Sequence, residues 1–147
     1  RRMSIDEWRR VIETNLNSVF YVTSKAVHSI EAGGGGHIVM LSSIIAEMGN
    51  PGLVNYGSTK AALIGFVKTA AQELIRQKIQ VNAIAPGFIE TDMIANLPGE
   101  ARQQLLDKTP MRRFGTPEEV ATMVRYLVTE GTYITGQVFN VNGGMYM

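Results

Sequence analysis

The sequence contains no cysteine and only two histidines, and each shortage excludes a class of chemistry. Without cysteine the chain forms no disulfide, holds no thiolate-bound metal and has no cysteine nucleophile. His28 and His37 are too few and too widely separated to indicate a zinc site. We therefore predict no metal site.

An excess of charge of one sign is also missing. The 14 lysine and arginine residues nearly balance the 13 aspartate and glutamate residues, which leaves a formal net charge of +1 at pH 7. This balance argues against electrostatic binding of nucleic acid or of an anionic membrane. The sequence also lacks the run of about 18 apolar residues that a membrane span needs. Polar residues follow Arg1-Arg2-Met3 at once, so we expect no signal peptide and a cytoplasmic location.

What the sequence has is an alternation of helices and strands within 147 residues, the size of about one domain. Apolar residues at steps of three and four predict helices over about residues 5–30, 56–76 and 117–129. Short apolar runs predict strands over 37–42, 79–85 and 138–141, whereas residues 88–110 look irregular, with short helices. The first two runs are continuous rather than alternating, as in strands covered on both faces. This order is typical of an α/β fold with a parallel sheet.

Tyr56 and Lys60 are four positions apart, which places both side chains on one face of the second predicted helix. An ammonium close to a phenol favours the phenolate, so such a tyrosine can act as a general acid or base on an alcohol or a carbonyl. Taken alone, the spacing equally fits an exposed helix pair without a chemical role.

Three further sites are predicted to lie near this pair. Ser43 follows the first predicted strand and Pro86-Gly87 ends the second, and α/β sheets bind ligands at the carboxyl ends of their strands. Asn15 interrupts the apolar stripe of the first helix. The alternatives are a serine that caps a turn and a core asparagine whose hydrogen bonds are satisfied.

These residues together resemble the short-chain dehydrogenase/reductase family. The resemblance is carried by Thr14-Asn15-Leu16, Ser42-Ser43, the Tyr56/Lys60 pair and residues 86–93 (PGFIETDM). Residues 49–52, 132–136 and 141–146 resemble the 3-oxoacyl-[acyl-carrier-protein] reductase branch of that family. The resemblance implies a Rossmann-like three-layer fold with a parallel sheet.

The resemblance also implies catalytic roles for four residues. Tyr56 would protonate the carbonyl oxygen of the substrate, and Lys60 would tune Tyr56 and hold the nicotinamide ribose. Ser43 would orient the carbonyl oxygen, and Asn15 would help to hold a water that links Lys60 to solvent. The implied cofactor-binding residues are Tyr56, Lys60, Pro86, Gly87, Ile89 and Thr91, and residues of about 90–110 would form a mobile lid over the substrate.

The glycine-rich turn that seats the cofactor phosphates in this family is absent from the sequence. Gly33–Gly36 is no substitute, because it follows a helix and precedes a strand, whereas a phosphate-binding turn precedes a helix. We therefore expect residues 1–147 to be one incomplete NAD(P)-binding Rossmann domain, the C-terminal portion of a doubly wound fold, within a longer polypeptide. One sheet edge and one face of the first helix should then be uncovered.

The implied reaction is the NADPH-dependent reduction of a 3-oxoacyl thioester to its 3-hydroxyacyl form, as in fatty acid synthesis, with NAD possible as the cofactor. The implied partners are a thioester substrate on acyl carrier protein or CoA, and further copies of the chain in a homotetramer. Acyl carrier proteins are acidic, but the segment before the first strand is the neutral Gly33–Gly36, which leaves Arg76, Lys78, Arg112 and Arg113 as basic candidates. The alternatives are a short-chain reductase/dehydrogenase for another ketone or alcohol (a sugar, steroid or quinone), and an inactive structural fragment that lacks the phosphate-binding turn.

Overall fold

Three strands and seven α-helices alternate along residues 3–147, which are the residues that the structure, a computed structural model, describes. The helices are α1 (Ile5–Ile12), α2 (Ser18–Ala32), α3 (Ile45–Met48), α4 (Val54–Leu74), α5 (Asp92–Ala95), α6 (Gly99–Asp107) and α7 (Pro117–Thr129). The strands are β1 (Gly36–Leu41), β2 (Ile79–Pro86) and β3 (Val138–Val141). The predicted helices and strands are therefore confirmed, with ends that differ by one or two residues.

The first predicted helix is interrupted in a way that its apolar spacing does not show. It begins with a capping box, in which the Ser4 N–H donates to Glu7 Oε2 at 2.7 Å and the Glu7 N–H donates to Ser4 Oγ at 3.1 Å. A π-helical turn, Glu13–Asn17, then separates α1 from α2. The helix ends before Gly34 and Gly35, which adopt φ values of 93° and 114° that favour glycine.

The sheet is parallel with the order β1-β2-β3, as the α/β prediction requires. In β1 and β2, Gly36 pairs with Ile79 and Leu41 with Ile84, while Ala83 of β2 pairs with Val138 of β3. Because β2 lies in the centre, most of its side chains are buried, whereas those of β1 are mostly half-buried. The fold is an α/β Rossmann-like fold.

Helices cover both faces of the sheet. On one face, Leu63 and Val67 of α4 pack with Val81 and Ala83 of β2, and apolar residues of α2 close this cluster. On the other face, α7 packs against β1 and β2. Because the three strands are parallel, their carboxyl ends lie at the same edge of the sheet, which we call the rim.

A buried asparagine in β2 binds the loop that precedes β3. Asn82 is almost fully buried, and its Nδ2 donates to the Ile134 carbonyl at 2.9 Å while its Oδ1 accepts from the Gln137 N–H at 3.1 Å. Thr135 Oγ1 accepts from the Val81 N–H at 3.0 Å. Buried polar groups are satisfied in this way, so the loop extends the sheet where β3 has not yet begun.

The outer edge of β1 is uncovered in the part of the chain that the structure describes, as we expected, and apolar side chains of α2 are exposed. Within residues 3–147 β1 pairs only with β2, and Leu41 at its end is exposed. Phe20, Tyr21 and Val22 of α2 are exposed as well. Among the described helices, none is both long enough and apolar enough to cross a membrane.

The start of α7 depends on one carboxylate. Glu119 accepts two hydrogen bonds from Arg113, at 2.6 and 2.8 Å, and one from the Thr116 N–H at 2.8 Å. The Arg113 guanidinium, and after it the Thr116 N–H, lower the pKa of Glu119 from 4.5 to about 2.

We expect Glu119 to stabilise the fold above pH 4.5, the ordinary pKa of its carboxyl group, and to lose that contribution as the pH falls toward 2. The free energy of unfolding of Glu119→Gln should therefore lie below that of the wild type at pH 7, and the difference should shrink by pH 2.5. Urea denaturation measures both values. Glu118→Gln, in the same helical turn, is the matched control and should show no such trend. An equal difference at both pH values would contradict this account.

Candidate active site

The rim at the carboxyl ends of β1 and β2 is held by backbone hydrogen bonds that continue past the strands. The Ser42 N–H donates to the Ile84 carbonyl at 2.8 Å, and the Ile44 N–H donates to the Pro86 carbonyl at 3.0 Å. Ser43 lies between these two bonds, so its position is fixed by both strands. Its side chain is buried, with 8% of its surface exposed.

Ser43 keeps one hydrogen-bonding function free. Its Oγ accepts from the Ile45 N–H at 3.2 Å, and it donates to no other group of residues 3–147. A serine hydroxyl has one proton to donate, so that proton is available to a ligand in the adjoining cleft.

Tyr56 and Lys60 lie in the first two turns of α4, on one face, as predicted. Lys60 Nζ is 5.7 Å from the centre of the Tyr56 ring. The same ammonium donates to the Leu41 carbonyl at the end of β1, at 2.7 Å. Burial lowers the pKa of Lys60, because removal from water disfavours the charged amine.

A neighbouring serine links this helix to the sheet. Ser42 Oγ donates to the Lys60 carbonyl at 2.8 Å, across 18 positions of sequence, and Ser42 is buried. Ser42 thus aligns α4 with the end of β1, which brings Tyr56 next to the segment that carries Ser43.

Asn15 lies within the π-helical turn, where the wider coil changes the direction of its side chain relative to a regular helix. The side chain is half-buried and lines the same cleft as Ser43 and Tyr56. Its amide makes no hydrogen bond within the described residues and is therefore available to a ligand in the cleft. π-Helical turns are frequent at functional sites.

The cleft at this rim has a volume of about 990 Å³. Six of the predicted site residues line it: Asn15, Ser43, Tyr56, Gly87, Ile89 and Thr91. Two predicted residues do not line it. Lys60 lies behind Tyr56, bonded to the end of β1, and Pro86 forms the last position of β2.

Gly87 is a position where the backbone leaves no room for a side chain. A Cβ atom there would lie 2.8 Å from Asn142 Cα and 3.1 Å from the Asn142 carbonyl oxygen. The Gly87 N–H also donates to the Val141 carbonyl at 2.9 Å. The backbone at Gly87, just after β2, therefore packs closely against the end of β3. At this position only backbone atoms line the cleft.

Asn55 is a cleft residue that the sequence analysis missed. It precedes Tyr56 and is 9% exposed, and its Oδ1 accepts from the Tyr56 N–H at 2.8 Å. The signal in the sequence is an asparagine at a predicted helix start, where its side chain can bond to free backbone N–H groups.

The surfaces of the cleft, together with Lys60 beside it, fit one half of a nicotinamide cofactor. A ribose needs hydrogen-bonding partners such as Lys60, and a planar ring needs an unobstructed surface such as the Gly87 backbone and Ile89. No group of three or more histidine, cysteine or acidic residues that could hold a metal ion occurs in residues 3–147.

Comparison with known proteins identifies the family. A family model described as Enoyl-(Acyl carrier protein) reductase matches residues 1–146. The 3-oxoacyl-[acyl-carrier-protein] reductase FabG of Aquifex aeolicus is 48% identical over 146 residues, which cover 99% of this chain and 59% of that protein. The FabG of Thermotoga maritima is 46% identical over 145 residues, with 98% and 59% covered.

A solved structure is similar throughout the chain. The crystal structure of a 3-oxoacyl-[acyl-carrier protein] reductase from Brucella melitensis matches with a TM-score of 0.95 and 40% identity, covering 99% of this chain and 55% of that one. The chain belongs to the short-chain dehydrogenase/reductase family, as the sequence predicts. It spans a little under three-fifths of the length of the relatives that it matches.

Gly87→Ala should lower the free energy of unfolding by about 1–3 kcal/mol, because the new methyl group would overlap the Asn142 backbone. Gly65→Ala is the matched control, since Gly65 lies inside α4 with open space around it. That change should raise the free energy of unfolding by about 0.5–1 kcal/mol through helix propensity. Urea denaturation measures both. If Gly87→Ala raised the free energy of unfolding as Gly65→Ala does, the predicted overlap with Asn142 would be wrong.

Proposed function

We propose that this chain is the catalytic part of an NADPH-dependent reductase that converts a 3-oxoacyl thioester into its 3-hydroxyacyl form. The observation that carries the proposal is one cleft lined by Ser43 and Tyr56, with Lys60 Nζ 5.7 Å from the centre of the tyrosine ring. These groups supply a hydrogen-bond donor, a proton donor and a positive charge around one reaction centre. The names of the relatives support the substrate class.

The 147 residues are, in this proposal, one incomplete NAD(P)-binding Rossmann domain within a longer polypeptide. The fraction of the relatives that the chain spans supports this, as does the uncovered edge of β1. A further parallel strand beside β1 and a glycine-rich turn would complete the site for the cofactor phosphates. We refer to that longer protein as the complete polypeptide.

Each residue of the site has one task in the reduction. The Ser43 hydroxyl donates to the carbonyl oxygen of the substrate and orients it. The Tyr56 hydroxyl gives its proton to that oxygen as negative charge develops there. A bound nicotinamide cofactor supplies the hydride that reaches the carbonyl carbon. The C=O bond thereby becomes CH–OH, with one hydride and one proton added.

Lys60 and Asn15 support the proton donor. The Lys60 ammonium lies next to the tyrosine ring and would hold the ribose of the cofactor. Asn15, whose amide is free toward the cleft, would hold a water that connects Lys60 with solvent. Tyr56, Lys60, Pro86, Gly87, Ile89 and Thr91 would surround the cofactor. NADPH is the proposed form, and NADH is the alternative.

The assembly and location follow the family. We propose a cytoplasmic homotetramer that pairs α1, α2 and α4 across one two-fold axis, and β3 and α7 across another. Exposed apolar side chains on these helices, among them Phe20 of α2 and Val54 of α4, support the first pairing, because exposed apolar surface often marks a protein–protein interface.

One observation favours a second substrate class with the same chemistry. Two of the basic candidates for contact with an acidic carrier protein are already neutralised: Arg112 pairs with Asp107 at 3.0 Å and Arg113 with Glu119 at 2.6 Å. The segment before β1 is neutral. A ketone or alcohol that is not a thioester, such as a sugar, steroid or quinone, is therefore the alternative.

Tyr56→Phe in the complete polypeptide should lower kcat by at least about 100-fold, because the proton donor is removed. The NADPH dissociation constant, measured by fluorescence titration, should change little. Tyr126→Phe, an exposed tyrosine of α7, is the control and should keep full activity. Retained turnover in Tyr56→Phe would remove Tyr56 from the mechanism, and absence of NADPH binding in the wild type would favour an inactive fragment.

The substrate class is tested by initial rates of NADPH oxidation with a panel of ketones. We expect kcat/KM for acetoacetyl thioesters of acyl carrier protein or CoA to exceed that for sugars, steroids and quinones by at least about 100-fold, because a site matched to the thioester gains binding energy in the transition state. A higher value for CoA than for the carrier protein would favour a free thioester over a carrier-bound one. A preference for a ketone without a thioester would overturn the proposal.

A further inference from the structure

Arg102 of α6 connects three separate parts of the chain on the far side of the cleft wall. Its two terminal nitrogens donate to the two carboxylate oxygens of Glu90, at 2.9 and 2.6 Å. One of them also lies 3.4 Å from the Ile94 carbonyl oxygen. The guanidinium carbon is 4.6 Å from the centre of the Phe114 ring.

Two of these partners, Glu90 and Ile94, are adjacent to the cleft. Glu90 lies between Ile89 and Thr91, which both line it, and Ile94 lines it directly. The Glu90 N–H donates to the Gly115 carbonyl at 2.8 Å, so the backbone that follows Phe114 also holds this segment. Residues 88–94, the cleft wall, are thus held between Arg102 and Gly115.

The geometry favours arginine over any other cation at this position. A bidentate pair with a carboxylate fixes direction as well as distance, and a guanidinium stacks on an aromatic ring. Phe114 is buried and therefore gives the guanidinium a rigid surface. The Arg102 side chain lowers the pKa of Glu90, chiefly through these hydrogen bonds, which keeps the carboxylate charged.

We propose that Arg102 is a positioning residue that sets the shape of the cleft wall and thereby the affinity of the cleft for the substrate and for the cofactor. The wall carries three cleft residues that adjoin or include the groups bound by Arg102, namely Ile89, Thr91 and Ile94. Ser43 and Tyr56, in contrast, are held by the sheet and α4. Loss of Arg102 should therefore weaken substrate binding and leave the chemical step largely intact. Only the kinetic part of this inference rests on the proposed function.

The first test is hydrogen exchange of the backbone amides of residues 88–95 in the complete polypeptide. Arg102→Met should raise exchange there by at least about tenfold, because opening of the segment no longer breaks the Glu90 bonds. Arg112→Met is the matched control, since Arg112 also pairs with a carboxylate near the end of α6 but makes no contact with the wall. Unchanged exchange in Arg102→Met would overturn the proposal, whether or not the protein is a reductase.

The second test is steady-state kinetics with acetoacetyl-CoA. Arg102→Met should raise KM by about tenfold and change kcat by less than about threefold, because misplacement of contacting residues costs binding. Arg102→Lys keeps the charge without the bidentate geometry, so it should recover only part of the affinity. The double variant Glu90→Arg/Arg102→Glu, which exchanges the two charges, should have a KM closer to that of the wild type than either single variant has.

The outcomes separate the two proposals. Faster exchange with an unchanged KM would show a structural ion pair only and would overturn the positioning role. A wild-type protein that binds no NADPH and reduces no ketone would refute the proposed function, while the exchange data would still decide whether Arg102 holds the wall. If Arg102→Met does not fold, Arg102→Lys and Glu90→Gln give the same comparison with smaller expected effects.

Discussion

Three hydrogen bonds around Ser42 and Ile44 determine where the reactive groups of this chain lie. Two backbone bonds extend the β1–β2 pairing to Ile84 and Pro86, and the Ser42 hydroxyl binds the Lys60 carbonyl. All three are formed by neutral groups, and Ser42 and Ile44 are buried, so neither salt nor moderate changes of pH would weaken them. Without them, Ser43 on a strand end and Tyr56 on a helix would have no fixed relation.

Much of this arrangement could be predicted from the sequence, for physical reasons. Continuous apolar runs identified β1 and β2, and parallel strands bring their carboxyl ends to one rim. The spacing of Tyr56 and Lys60 placed both on one helical face, and the structure has them there. The polar residues after each strand could therefore be assigned to one site from the sequence alone.

The rest depends on contacts that no local pattern encodes. The π-helical turn at Asn15 leaves the apolar spacing around it almost unchanged, so periodicity predicts a regular helix. Asn82 looks like an ordinary polar interruption of a strand, and only the folded loop shows its partners at Ile134 and Gln137. Arg102 and Glu90 are twelve positions apart in a segment without periodicity, so their pairing follows from tertiary structure alone.

The site therefore divides into two parts that are stabilised by different forces. The groups proposed to perform the chemistry lie on the sheet and on α4, where buried neutral hydrogen bonds leave little freedom. The wall proposed to contact the substrate is held by Arg102 and Glu90, which are partly exposed and charged, so it can open at lower cost. The proposed reduction needs both properties, because proton donation requires fixed geometry whereas admission of the proposed acyl substrate requires a wall that yields. The position of the ion pair, outside the cleft, also means that changes at α6 can alter substrate preference without a change to any residue that donates a proton.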